Sequence, residues 1–93
     1  MSQQTLSLAR AQALAVSEMP AAAVLDRGSV DAAIRATVRA LGGVSGCVAA
    51  LAQEFGEHPE TAPLRMRWAR ATVASVYGPP SGYESAHAPL IAA

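Results

Sequence analysis

The sequence predicts an all-α fold: a small bundle of about four helices, with a tight corner between the last two over residues 45–77. Three observations carry that expectation. Apolar residues recur at helical spacing in successive stretches. Alanine is abundant, and it favours helix while filling little space. Proline and glycine punctuate the stretches at Pro20, Gly28, Gly42-Gly43, Gly56 and Gly78.

The first helix is expected over residues 3–18. Leu6, Ala9, Ala13, Leu14 and Ser17 fall on one stripe, with Leu8, Ala11, Ala15 and Val16 beside it. Ser2 or Thr5 caps the start. Pro20 ends the helix, because proline disfavours helical backbone at the residue before it. Residues 20–27 read as a short helical turn that Gly28 stops. The second helix is expected from Val30 to Leu41 behind a Ser29 cap. Ala33, Ile34, Thr37, Val38 and Leu41 share one face, and Arg35 and Arg39 line the other. Asp31 precedes Arg35 by four residues and can pair with it, and it suits the positive end of the helix dipole. Gly42 and Gly43 accept the left-handed backbone that helix ends need.

The third helix is expected over residues 45–55, with Val44, Val48, Leu51, Ala52 and Phe55 as its stripe. Val44, ahead of the cap, would staple onto Val48 or Ala49, and Gly56 is the expected stop. The fourth helix begins within residues 59–63 and ends at Tyr77 or Gly78. Pro63 is tolerated only in a first turn, which makes Thr61 the expected cap. Met66, Ala69, Val73, Val76 and Tyr77 form one face, and Leu64 and Trp68 form an adjoining patch. A helix apolar over that much of its surface is central or meets a partner. Residues 1–77 then make a single helical domain. Residues 78–93, rich in Pro, Gly and Ser, read as a C-terminal tail.

With 93 residues the chain can bury one thin core. Self-association, most simply as a homodimer, is a remedy for so small a core. The formal charge is zero, which argues against a chain that is basic overall and built for nucleic acid or a membrane surface, though not against a local basic patch. Every basic residue is Arg; there is no Lys and no Asn. That pattern reads as the coding bias of a high-GC bacterium, so arginine usage is weak evidence of phosphate binding. Cys47 is the only cysteine. It has no internal disulfide partner, and no Cys/His spacing of a zinc site accompanies it. No apolar run reaches the length of a membrane helix, and a cytoplasmic location is expected.

No catalytic residue, metal ligand or cofactor stands out, and no small-molecule substrate is evident. Cys47 lies near a helix start, where a dipole can lower a thiol pKa, but no His is placed by sequence to activate it. Gly42-Gly-Val-Ser-Gly46 enters a helix without the Lys or the preceding strand of a phosphate loop. Glu54 and His58 are four apart, but Gly56 and Pro59 are expected to break the helix that would bring them together.

Residues 48–62, Val-Ala-Ala-Leu-Ala-Gln-Glu-Phe-Gly-Glu-His-Pro-Glu-Thr-Ala, resemble the first half of helix-turn-helix units in transposase-type DNA-binding proteins. In that resemblance Ala52 sits where the two helices cross, Gly56 where the turn needs glycine, and Thr61 where a phosphate- or base-contacting residue is common. Three positions depart from the pattern: Glu57 replaces an apolar turn residue, Ala62 a larger core residue, and Pro63 falls where the recognition helix should already run. Glu54, Glu57 and Glu60 would also face phosphates at a cost in affinity. Two function classes follow. The first is a non-enzymatic helical interaction protein that self-associates through apolar faces, with Leu64 and Trp68 at the interface. The second is a small DNA-binding regulator using Thr61, Arg65, Arg67 and Arg70, of which Arg67 and Arg70 share one side of the helix. A core position is the simpler expectation for Trp68.

Overall fold

The computed structural model describes residues 2–23 and 25–78. They form four α-helices and, among these residues, no strand: α1 (Gln3–Ala15), α2 (Arg27–Ala40), α3 (Val44–Glu57) and α4 (Ala62–Tyr77). Of the expected tail, residues 78–93, all but Gly78 lie outside the described residues. No single described helix is long and apolar enough to cross a membrane.

α1 packs chiefly on α4. The core between them is built from Ala11, Ala13, Leu14, Ala15, Met66, Ala69 and Val73, joined by Val30, Ile34 and Cys47. Alanine lets helix axes approach closely, so tight packing substitutes for large side chains. Leu14, Val30, Val73 and Cys47 are the largest fully buried residues. The α1 stripe reaches this core only from Ala11 onward; Leu6 and Leu8 are exposed.

Several helix ends differ from expectation, each for a local reason. Ser2 does cap α1, accepting from the Thr5 amide. α1 stops at Ala15 rather than near Glu18; there the Ser17 amide and hydroxyl donate to Leu14 O, and Arg65 donates to the carbonyls that follow. α2 starts earlier than its apolar face suggests. Asp26, not Ser29, is its N-cap, and the two form a reciprocal capping box: the Ser29 amide donates to Asp26 Oδ1 at 2.8 Å while the Asp26 amide faces Ser29 Oγ at 3.3 Å. Gly28 therefore lies inside the first turn of α2. Asp31 sits beyond that turn, where the dipole is weak.

The α2–α3 corner is a Schellman end. The Gly43 amide donates to Val38 O at 2.8 Å and the Gly42 amide to Arg39 O at 3.4 Å, with φ of 79° and 114° at Gly42 and Gly43. Gly43 also serves as the N-cap of α3, and the two helices meet at 92°. Gly46 is what permits so sharp a corner: a Cβ there would lie 1.7 Å from the Leu41 carbonyl oxygen.

α3 does not stop at Gly56. It runs on to Glu57, and Pro59 ends it by forcing His58 out of helical backbone, to φ −132°, ψ 63°. The His58 carbonyl then accepts from the Thr61 and Ala62 amides and starts α4. Val44 is likewise inside α3 rather than ahead of its cap, which removes the expected staple. Thr61 is the N-cap of α4 by position, though its side chain makes no capping bond, and Pro63 falls in the first turn as required. Gly78 closes α4 with φ 91°.

Candidate interaction surface

α3 buries the fewest residues of the four helices. Cys47 is its one buried residue, and burial pushes that thiol pKa up, away from the reactive thiolate form. The stripe that should have entered the core points outward instead. Val44 and Val48 are each 43% exposed and Phe55 is 40% exposed, with Leu51 half-buried and Ala52 exposed. The 92° corner explains this: it presses the Gly46–Cys47 side of the first turn onto the end of α2 and the core, and so rotates the stripe to the flank. Farther along, a groove of about 560 Å³ opens between α3 and the end of α1, lined by Leu51, Glu54, Met19 and Arg65.

On α4 the sequence-nominated residues divide into two groups. Thr61, Leu64, Arg67 and Arg70 recur every third residue and are all exposed, Leu64 to 56%. Arg67 and Arg70 have no carboxylate partner among the described residues. Arg65 and Trp68 face elsewhere. The Arg65 guanidinium reaches the end of α1, where Nε donates to Ala15 O at 3.0 Å and Nη2 to Met19 O at 2.6 Å, Ser17 O at 3.1 Å and Leu14 O at 3.4 Å. Among the described residues only Leu14 O of these carbonyls has a local donor as well, the Ser17 amide and hydroxyl, and a cation is favoured at that end of the dipole. Burial lowers the Arg65 pKa, but an arginine stays charged through such a shift. Its cation also stacks on the Trp68 ring, 4.1 Å from the centroid. Trp68 is half-buried against the core, with its indole N–H enclosed and unpaired among the described residues.

A second polar cluster ties the far end of α4 to α2. The Tyr77 hydroxyl donates to Asp31 Oδ1 at 2.7 Å, and Arg35 Nε donates to Asp31 Oδ2 at 2.7 Å. Arg10 and Arg27 sit 3.9 and 5.0 Å from the Tyr77 ring centroid. The Tyr77 hydroxyl and then Arg35 hold the Asp31 carboxyl below its ordinary range. Burial, and then the bond to Asp31, push Tyr77 up to about 12.

Because α3 continues through Gly56, Glu54 and His58 do meet, at 4.0 Å, contrary to the broken helix expected from the sequence. With Glu57 they form a trio whose ligand atoms lie within 4.8 Å of one another, all exposed. Exposed carboxylates of this kind are an acidic helix end, and no buried group among the described residues organises them into a metal centre.

The geometry thus offers two surfaces. One is the outward apolar strip of α3; the other is the polar strip of α4 with Arg67 and Arg70. The first was legible in the sequence as a stripe but assigned to packing. Arg65, nominated for binding, is occupied within the fold. No family model, curated protein or solved structure matches the chain.

Proposed function

We propose that this chain is a non-enzymatic helical interaction protein that self-associates through the apolar face of α3. The observation that carries the reading is the exposure of Val44, Val48 and Phe55 on one side of a well-formed helix. Single exposed apolar residues need no explanation, but a contiguous strip marks a contact surface. α4, expected to present a broad apolar surface, spends Ala62, Met66, Ala69 and Val73 on the fold and leaves Leu64 as its exposed large apolar residue. Against an enzymatic reading, the lone thiol is fully buried and has no base beside it among the described residues. Sedimentation of the full chain over a wide concentration range tests the proposal. Reversible dimerisation that Val48→Asp abolishes is expected; a monomer at every concentration would refute it.

The DNA-binding reading is the alternative, and one observation favours it: Arg67 and Arg70 lie on one exposed side of α4, and Thr61 is exposed at its start. Three features weigh against it. Gly56 is not the turn glycine, Arg65 is engaged with α1, and Glu54, Glu57 and Glu60 are exposed at the corner. Fluorescence anisotropy with random duplex DNA at low and physiological salt separates the readings. Salt-sensitive binding lost when Arg67→Ala and Arg70→Ala are combined would favour DNA.

A further inference from the structure

The apolar strip on α3 has an internal symmetry. The exposed Val44, Val48 and Phe55 and the half-buried Leu51, which also touches the core, are spaced four, three and four residues apart, so the pattern reads the same in both directions. Such spacing is a two-helix seam, narrower than the face a helix shows to a globular core. The strip is bounded by small residues: Ala52 is exposed alongside it, and Ser45 and Ala49 are exposed on the outer side of the helix.

We infer that the strip is occupied by the same strip of a second copy, with the two α3 helices antiparallel about a two-fold axis between Ala49 and Ala50. This rests on the self-association proposed above and specifies its geometry. In that arrangement Val44 meets Phe55 of the other copy, and Val48 meets Leu51. Each pair sets a smaller side chain against a larger one, which keeps the gap between helices even along the seam. A parallel pairing would put Phe55 against Phe55 at one end and Val44 against Val44 at the other.

Charge selects the same orientation. α3 carries Glu54 and Glu57 near its C-terminal end and no basic residue at all. Its N-terminus has no side-chain cap, because Gly43 supplies none, and a helix start of that kind favours an acidic group nearby. Antiparallel helices bring Glu54 of each copy, on the flank of the seam, toward the positive, uncapped start of the other. Parallel helices would instead gather the carboxylates of both copies at one end with their dipoles aligned. An antiparallel two-fold contact is also isologous, so it closes at two copies and does not propagate. The strip is short, and the dimer is accordingly expected to form in the micromolar range rather than tighter.

The test joins cross-linking to sedimentation, on full chains in a Cys47→Ala background checked for helicity by circular dichroism. If that background unfolds, the experiment is run with Cys47 in place, since its side chain is fully buried. Chains with Val44→Cys and chains with Phe55→Cys, distinguished by a size tag, are mixed and oxidised. The expected product is the mixed disulfide, in marked excess over either like-with-like product. Like-with-like disulfides from a dimeric protein would overturn the antiparallel geometry and leave self-association standing. Dimerisation without disulfides in any combination, and unaffected by Val48→Asp, would move the interface off α3 and overturn the inference. A monomer throughout would refute the self-association reading itself.

Discussion

Arg65 donates to the carbonyl oxygen of Met19 at 2.6 Å, joining the first turn of α4 to the chain just beyond α1. The same guanidinium serves Ala15, Ser17 and Leu14. One side chain therefore does what a C-cap residue would do from within α1, and it also packs α4 on α1. Arg65→Ala leaves those carbonyls without their charged donor and removes the stack on Trp68. Charged hydrogen bonds at a half-buried site and a cation–π contact together predict a loss of about 2–3 kcal/mol. Arg65→Lys keeps the charge but not the fork that spans several carbonyls, and should recover about half. Urea unfolding of the three proteins measures both values.

Gly46 and Gly56 are both helical, and they should respond oppositely to alanine. At Gly56 a Cβ meets nothing within 4 Å, so Gly56→Ala should stabilise by about 0.5–1 kcal/mol through helix propensity alone. At Gly46 the same propensity gain is overwhelmed, because the new Cβ would sit 1.7 Å from backbone at Leu41. Backbone cannot rotate away as a side chain does, so the α2–α3 corner must open. Gly46→Ala is expected to cost at least about 2 kcal/mol, and thermal melts of the two variants give the comparison.

These two glycines also mark how far the sequence is legible. The helices themselves were readable, because apolar spacing and the breakers Gly42, Gly43 and Gly78 act locally. Gly28 and Gly56 misled because glycine permits a helix stop without requiring one: at the first the Asp26–Ser29 capping box decided the boundary, at the second Pro59. The role of Arg65 was not readable, since its partners lie about fifty positions away and are backbone atoms, which every residue type shares. The α3 stripe was visible as a stripe. Whether it faced the core or the outside depended on the 92° corner, and that depended on Gly46, whose spacing to Leu41 carries no signal until the corner exists.

The Tyr77–Asp31 bond predicts a pH dependence at both extremes. Tyr77 is raised to about 12 in the folded chain against about 10 unfolded. The folded state thus holds the phenolic proton more tightly, so the stability it contributes is complete below pH ~10 and is lost as pH rises toward ~12. Screening by water at this half-buried site limits the loss to about 1 kcal/mol. Asp31 is shifted the other way, and its contribution is present above the ordinary carboxylate pKa and disappears as pH falls through the lowered one. Tyr77→Phe should flatten the alkaline arm of a stability–pH curve. An unchanged alkaline arm in Tyr77→Phe would show that the hydroxyl does not carry it.

Self-association through α3 makes stability depend on concentration, because a partner that binds only the folded chain shifts the unfolding equilibrium by mass action. The melting temperature of the wild-type chain should rise as protein is added. At high dilution Phe55→Ser should melt within about 0.5 kcal/mol of wild type, since Phe55 is already 40% exposed and helps the isolated fold little. At high concentration the two should diverge, with Phe55→Ser losing the rise. Leu14→Ala is the contrasting case: Leu14 is fully buried in the α1–α4 core, and its truncation should lower stability by about 2–4 kcal/mol at every concentration. A series of melts over a hundredfold dilution distinguishes a residue that serves the fold from one that serves the contact. If Phe55→Ser tracked the wild-type rise throughout, Phe55 would not be in the interface.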